Sequence, residues 1–216
     1  MSNASRTLLH ACCGPCSLEP TRMLAEEGVD FAIHYANSNI YPPAEYEKRL
    51  DTLREHVAKP RDIELIEGDY DSESWEHEVA IHGIDRETRC RACYRLRFEE
   101  TASAAKERGF DTISTTLTIS PYQFTNIILE ELEAAAARHG LKADARDYRE
   151  RYQDATRISR EKGMYRQDYC GCRFSIAEAQ AERKAAKAER DRKKRIKHAA
   201  TLMMAAEGIY TQHNQA

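Results

Sequence analysis

The sequence predicts an α/β fold: a single domain with a mainly parallel sheet flanked by helices, extended by a long basic C-terminal helix. Three observations predict it. Short β-branched or apolar runs alternate with longer stretches of helical periodicity, the pattern of a parallel sheet with crossover helices. The first run ends directly at a group of cysteines, and open α/β sheets bind ligands beyond the carboxyl ends of their strands. From Phe174 to about Met204 the chain holds neither Gly nor Pro and is dense in Ala, Glu, Lys and Arg.

In chain order, residues 7–11 form the first expected strand, and Ser17 opens a helical pattern through Leu18, Met23 and Leu24. Residues 31–36 form the second strand, followed by the turn chemistry of Asn37, Ser38, Pro42 and Pro43. Residues 44–57 read as a helix, 63–66 as the third strand, 71–82 as a helix around Trp75 and Val79, and 89–108 as a further helix. The β-branched stretch at 110–117 suits a fourth strand. Ser120 and Pro121 then read as an N-cap and first helical residue of a helix ending at His139 and Gly140. A catalytic domain is expected over residues 5–175 and a basic helical extension over 176–216.

The 216 residues are 41% hydrophobic with 33 Lys+Arg against 36 Asp+Glu, which excludes collagen-like, mucin-like and freely disordered chains. No apolar run approaches the ~20 residues of a membrane helix, and the chain starts without an export-type segment, so the cytoplasm is the expected compartment. Within residues 178–197, nine basic residues face four acidic ones, a local excess of plus five in a chain whose total is minus three.

Seven cysteines in such a chain argue against a disulfide framework. They fall in three groups, Cys12, Cys13 and Cys16, then Cys90 and Cys93, then Cys170 and Cys172, which points to metal. Thiolates suit zinc, copper(I) and iron–sulfur clusters. Neighbouring side chains on an extended strand end diverge, so Cys12 and Cys13 are expected to feed two adjacent sites rather than one ion. A [4Fe–4S] cluster takes four cysteines, leaving three for a single further metal with one open position. Two structural zinc ions served by seven cysteines and a histidine remain an alternative. His10, on an apolar strand beside the cysteines, reads as a hydrogen-bonded supporting residue rather than a ligand.

The motifs Leu8-Leu9-His10-Ala11-Cys12-Cys13-Gly14-Pro15-Cys16-Ser17, Asn39-Ile40-Tyr41-Pro42 with Glu45, Tyr46 and Arg49, and Cys90-Arg91-Ala92-Cys93-Tyr94-Arg95-Leu96-Arg97 occur in order. So do Ser114-Thr115-Thr116-Leu117 with Ser120-Pro121-Tyr122, Asp147-Tyr148-Arg149, Tyr165-Arg166-Gln167 and Tyr169-Cys170-Gly171-Cys172. On these residues, spread over about four-fifths of the chain, the sequence resembles the epoxyqueuosine reductases of the QueH type.

The resemblance implies a Rossmann-like sheet of the PP-loop or HUP kind. It implies reduction of the epoxide of epoxyqueuosine at the wobble position of a tRNA with a GUN anticodon, giving queuosine. It further implies a [4Fe–4S] cluster beside a mononuclear iron, or another divalent metal in its place, and an external electron donor. Cys12, Cys90, Cys93 and Cys170 are the expected cluster ligands, with Cys13, Cys16 and Cys172 completing the metal set. Tyr165, Asp147 and Asp168 are candidate proton donors, although Asp147 also suits the role of holding a neighbouring arginine. Unstacked anticodon bases bind aromatic rings, and phosphates bind Lys and Arg. Tyr41, Tyr122 and Tyr165 are the stacking candidates, and Arg166, Arg183, Lys184, Arg192, Lys193, Lys194 and Arg195 the phosphate candidates. Two other functions compete: an iron–sulfur, PP-loop-like tRNA-thiolating enzyme, and a zinc-stabilised RNA-binding module. The first needs a glycine-rich ATP loop after the first strand, where this chain has Cys12-Cys13-Gly14-Pro15-Cys16-Ser17.

Overall fold

The computed structural model describes residues 5–213, with side chains as far as residue 204. The chain divides into two compact units, residues 1–167 and 168–216. The first holds a five-stranded, all-parallel sheet in the order β3-β2-β1-β4-β5. Its strands are β1 (Arg6–His10), β2 (Asp30–Tyr35), β3 (Leu65–Glu67), β4 (Thr112–Thr115) and β5 (Lys142–Asp144). The helices are α1 (Gly14–Glu26), α2 (Pro43–Leu53), α3 (Ser72–Glu78), α4 (Arg86–Glu107), α5 (Thr125–His139) and α6 (Tyr152–Glu161), with α7 (Arg173–His213) in the second unit. Among the described residues no helix is long and apolar enough to cross a membrane.

Both faces of the sheet are covered, which is why its strands read as apolar runs. On one face Leu8, Ala32, Ile66 and Ile113 pack against Tyr94, Phe98 and Ala102 of α4 and Ile128 and Leu132 of α5. On the other, Ile33 and Tyr35 pack against Leu18 of α1 and Leu50 and Leu53 of α2. The period-two alternation of side chains assigns each strand residue to one of these cores.

The strand order reverses at β1: β2 and β3 lie on one side of it, β4 and β5 on the other. The crevice between the carboxyl ends of β1 and β4 is therefore the position where an open sheet receives a ligand. Two elements have no counterpart in the sequence reading, β5 and α6. The helix after β4 also begins later than expected. Ser120 is extended and its hydroxyl accepts the Tyr122 N–H at 3.3 Å, so Ser-Pro builds a turn there, and α5 starts at Thr125. The first helix opens at Gly14 rather than Ser17, with Pro15 in its first turn and Cys13 as N-cap. The helix expected over 71–82 ends at Glu78 and gives way to a 3₁₀ turn over Ala80–His82.

Candidate metal centre

β1 ends at His10, and the chain bends through Cys12 before α1 begins. This bend brings Cys12, Cys13 and Cys16 together, with all three sulfurs within 4.8 Å of one another. Cys12 and Cys13 Sγ are 3.8 Å apart. The expectation that these neighbours diverge is thereby overturned, because it assumed continuous strand geometry and Cys12 lies past the strand end. Gly14 permits the bend: a Cβ there would sit 2.9 Å from Thr52 Cγ2 and 3.1 Å from the Thr52 carbonyl carbon.

The thiols of the triad do not titrate alike. Cys13 is buried, which disfavours its thiolate, but hydrogen bonds from Cys12 and Cys16 and the charge of Arg49 outweigh burial and hold it below the ordinary thiol range. The N-terminus of α1 acts in the same direction. Hydrogen bonding to Cys13 pushes Cys12 up to about 12, and Cys16 is raised by its bonds to both partners. Thiolate character in the free triad is thus concentrated on Cys13. Three converging soft thiolate donors fit a thiophilic metal, and a cation there would favour the ionised form of all three.

Supporting contacts come from four segments. Thr116, just past β4, accepts the Cys12 N–H at 3.3 Å and places its hydroxyl 3.7 Å from Cys12 Sγ. Gln167 donates from Nε2 to Cys13 Sγ at 2.8 Å. Glu45 on α2 accepts from Arg49 Nε at 2.7 Å and from the Tyr165 hydroxyl at 2.8 Å, while Lys48 Nζ lies 3.7 Å above the Tyr165 ring. His10 is fully buried. Its Nε2 donates to the Ala36 carbonyl at 3.2 Å and its Nδ1 accepts from Thr115 at 3.0 Å. Burial, with the charges of Arg97 and His34, holds its pKa well below the usual range. Both ring nitrogens are occupied within the fold, which is the supporting role expected of this residue.

Cys90 and Cys93 occupy the first turns of the buried stripe of α4, ahead of Tyr94, Phe98 and Ala102. Phe98 meets the His10 ring edge-on at 5.5 Å, so the turns before it extend past the end of β1. Cys12 and Cys90 border the same core cluster, and Trp75 Nε1 donates to Cys93 Sγ at 3.4 Å. In the second unit Cys170 is exposed and Cys172 buried. Ser175 organises their turn: its hydroxyl accepts the Gly171 N–H at 3.1 Å and donates to the Cys172 carbonyl at 2.6 Å. Gly171 has φ 149°, which favours glycine.

Of the candidate proton donors, Tyr165 is the one bonded into the network around the triad. Asp147 is held ionised by its hydrogen bonds from Arg149, 2.9–3.0 Å at Nε, and Asp168 pairs with Arg183 at 3.2 Å. Among the RNA candidates, Tyr41 and Tyr122 are 49% and 66% exposed, so neither is a core tyrosine. On α7, Arg192 and Lys193 share Glu189, whereas Lys184, Lys194 and Arg195, like Arg166, have no ion-pair partner among the described residues. The sequence reading did not single out Thr116, Glu45, Arg49 or Gln167 for a role, although each lies in one of the motifs quoted for the resemblance; the i,i+4 spacing of Glu45 and Arg49 was their only local signal.

Residues 7–178 match the family model described as epoxyqueuosine reductase QueH. Proteins named epoxyqueuosine reductase QueH are similar over most of their length. That of Dehalococcoides mccartyi is 32% identical over 172 residues, covering 80% of this chain and 93% of its own. That of Acinetobacter baylyi is 36% identical over 183 residues, covering 81% and 82%. That of Thermotoga maritima is 33% identical over 178 residues, covering 79% and 90%. Neither the thiolating enzyme nor the zinc module finds support in these relationships. With its cysteine triad at the switch point of a parallel sheet and this similarity along four-fifths of its length, the chain belongs to the QueH family of epoxyqueuosine reductases.

Proposed function

We propose that this protein reduces the epoxide of epoxyqueuosine at the wobble position of tRNA bearing a GUN anticodon, giving queuosine. The observation that carries this reading is the convergence of Cys12, Cys13 and Cys16 at the β1/β4 crevice of a chain of this family. The reaction breaks both C–O bonds of the epoxide and forms a C=C bond; it consumes two electrons and two protons, and the oxygen leaves as water. No side chain supplies such electrons, so a redox centre is required. Cys12, Cys13, Cys16, Cys90, Cys93, Cys170 and Cys172 are the residues that would hold it, shared between a [4Fe–4S] cluster and a mononuclear iron or other divalent metal. When bound, these centres supply electrons from an external donor and a Lewis acid for the epoxide oxygen.

The remaining work falls to the protein. Tyr165 carries a proton on Oη, oriented by Glu45, which is fixed in turn by Arg49. Asp147 and Asp168 are engaged with arginines, so Tyr165 is the assigned donor. Gln167 and Thr116 orient Cys13 and Cys12. Tyr41 and Tyr122 offer exposed rings for anticodon bases, and Arg166 with Arg183, Lys184, Arg192, Lys193, Lys194 and Arg195 offers cations for the phosphate backbone. A tRNA substrate places the reaction in the cytoplasm.

The test is iron, zinc and acid-labile sulfide per chain on protein prepared without oxygen, followed by reduction of epoxyqueuosine-containing tRNA and mass spectrometry of its nucleosides. About four sulfides with more than four irons, and loss of one oxygen from the modified nucleoside, are expected. Zinc without sulfide and an unchanged nucleoside overturn the reading in favour of a zinc-stabilised RNA-binding module.

A further inference from the structure

Arg97, midway along α4, is 2% exposed. A guanidinium stays protonated throughout the range in which proteins fold, so a full positive charge sits in the core. The contrast with Arg49 is instructive: Arg49 is equally buried but has the Glu45 carboxylate at 2.7 Å. Arg97 has only neutral acceptors. Its Nε donates to the Ala36 carbonyl at 3.3 Å and one terminal nitrogen donates to Asn37 Oδ1, and no carboxylate pairs with it among the described residues. Glu100, one turn further on, is pushed up to about 7 by burial and has an unpartnered carboxylate oxygen, so it is only a partial counter-charge at neutral pH. A buried charge lacking a counter-ion is expensive, and a fold that retains one is short of an anion.

The contacts of Arg97 lead to where that anion belongs. Asn37, which takes the guanidinium on Oδ1, donates from Nδ2 to the Ala11 carbonyl at 2.9 Å. Ala36, which takes its Nε, also takes His10 Nε2, and the Ala11 N–H donates to the His34 carbonyl at 2.8 Å. One hydrogen-bonded residue therefore separates Arg97 from the peptide that leads into Cys12. Three thiolates around a divalent metal carry a net charge of minus one, the sign and location that Arg97 lacks.

We propose that Arg97 is the built-in counter-cation of the cysteine triad, a positioning residue that holds the Cys12 loop through Asn37 and offsets the negative charge of the metal-loaded site. This rests on the reading of the triad as a metal site. It assigns the buried guanidinium a purpose other than packing, because a neutral residue of similar volume would fill the core without the cost of desolvating a charge.

Cobalt(II) tests it, titrated anaerobically into the metal-free full-length protein and followed by thiolate-to-cobalt absorption. Arg97→Gln keeps an N–H donor and removes the charge; it is expected to weaken cobalt binding by roughly 10- to 100-fold, the range typical of groups that support metal ligands. Arg97→Lys keeps the charge and loses the planar fork, and is expected to stay within about threefold of the wild type. Wild-type affinity in Arg97→Gln, or equal weakening in both variants, overturns the proposal. If circular dichroism shows Arg97→Gln unfolded, Asn37→Asp is read instead. It hands Arg97 a competing carboxylate, and undiminished affinity there overturns the proposal as well. A wild-type protein that takes up no cobalt would remove the metal reading itself, a failure distinct from that of Arg97.

Discussion

At the scale of single residues, the site depends on a hydrogen atom where any other residue has a methyl or more. Gly14 lies so close to Thr52 and Met164 that an added Cβ would meet Thr52 Cγ2 at 2.9 Å and Met164 Cε at 3.0 Å. Gly14→Ala is therefore expected to cost about 1–3 kcal/mol in a denaturant melt and to alter the cobalt spectrum of the triad, since the bend holding Cys12 and Cys16 must shift. An unchanged melt and spectrum would show that Thr52 yields freely. The unequal acidity of the three thiols has its own consequence. With Cys13 below the ordinary thiol range and Cys12 and Cys16 above it, a metal that binds all three sulfurs displaces the protons of Cys12 and Cys16 together with any still on Cys13. Zinc affinity should rise with pH at a slope of about two or more in log K per pH unit around neutrality, and calorimetry in buffers of different ionisation enthalpy reads that release directly. None of this was legible in the spacing Cys-Cys-Gly-Pro-Cys, which marked candidate ligands but not the bend.

At the scale of elements, α4 links the sheet core to the candidate site, because its buried stripe runs from Arg89 and Cys93 through Arg97 to Ala105, with Cys90 partly buried beside it. Asp85 caps it by accepting the Thr88 N–H at 3.2 Å, which sets the helix start three residues before the expected Arg89. The same helix carries Glu100, whose pKa is raised by burial to about 7. The native state then holds a proton that the unfolded chain has released, so stability falls as pH rises from about 4.5 through 7. Glu100→Gln should remove about 2 kcal/mol of that fall: the variant and the wild type melt alike near pH 5, and the variant melts higher at pH 8. A difference independent of pH would assign the effect to packing instead. The elements missed in the sequence have physical causes. β5 is only Lys142–Asp144, without alternation, and it exists because β4 offers a free edge. α6 is polar along most of its length and buries little beyond Ala155 and Ser159. Ser120-Pro121 satisfies a turn and an N-cap equally well, and local chemistry cannot choose between them.

At the scale of the whole molecule, the basic excess of residues 178–197 is partly spent on neighbouring carboxylates, with Lys184, Lys194 and Arg195 among the cations that have no ion-pair partner within the described residues. If tRNA binds there, replacing these three by Gln should reduce the steepness of log K against log salt by roughly two, with each contact contributing about 0.7–0.9. An unchanged slope in a fluorescence titration would assign the helix to solvent. The sequence by itself determined the α/β class, the parallel sheet, the long helix and the family, because periodicity and ordered motifs are local properties of the chain. Only the tertiary structure decided which cysteines meet, how Glu45, Arg49, Thr116 and Gln167 surround them, and that Arg97 is buried without a carboxylate. Apart from the local bend that gathers Cys12, Cys13 and Cys16 and the one-turn Glu45–Arg49 pair, those are contacts between residues far apart in sequence, where the closing of the sheet rather than any local preference sets the distances.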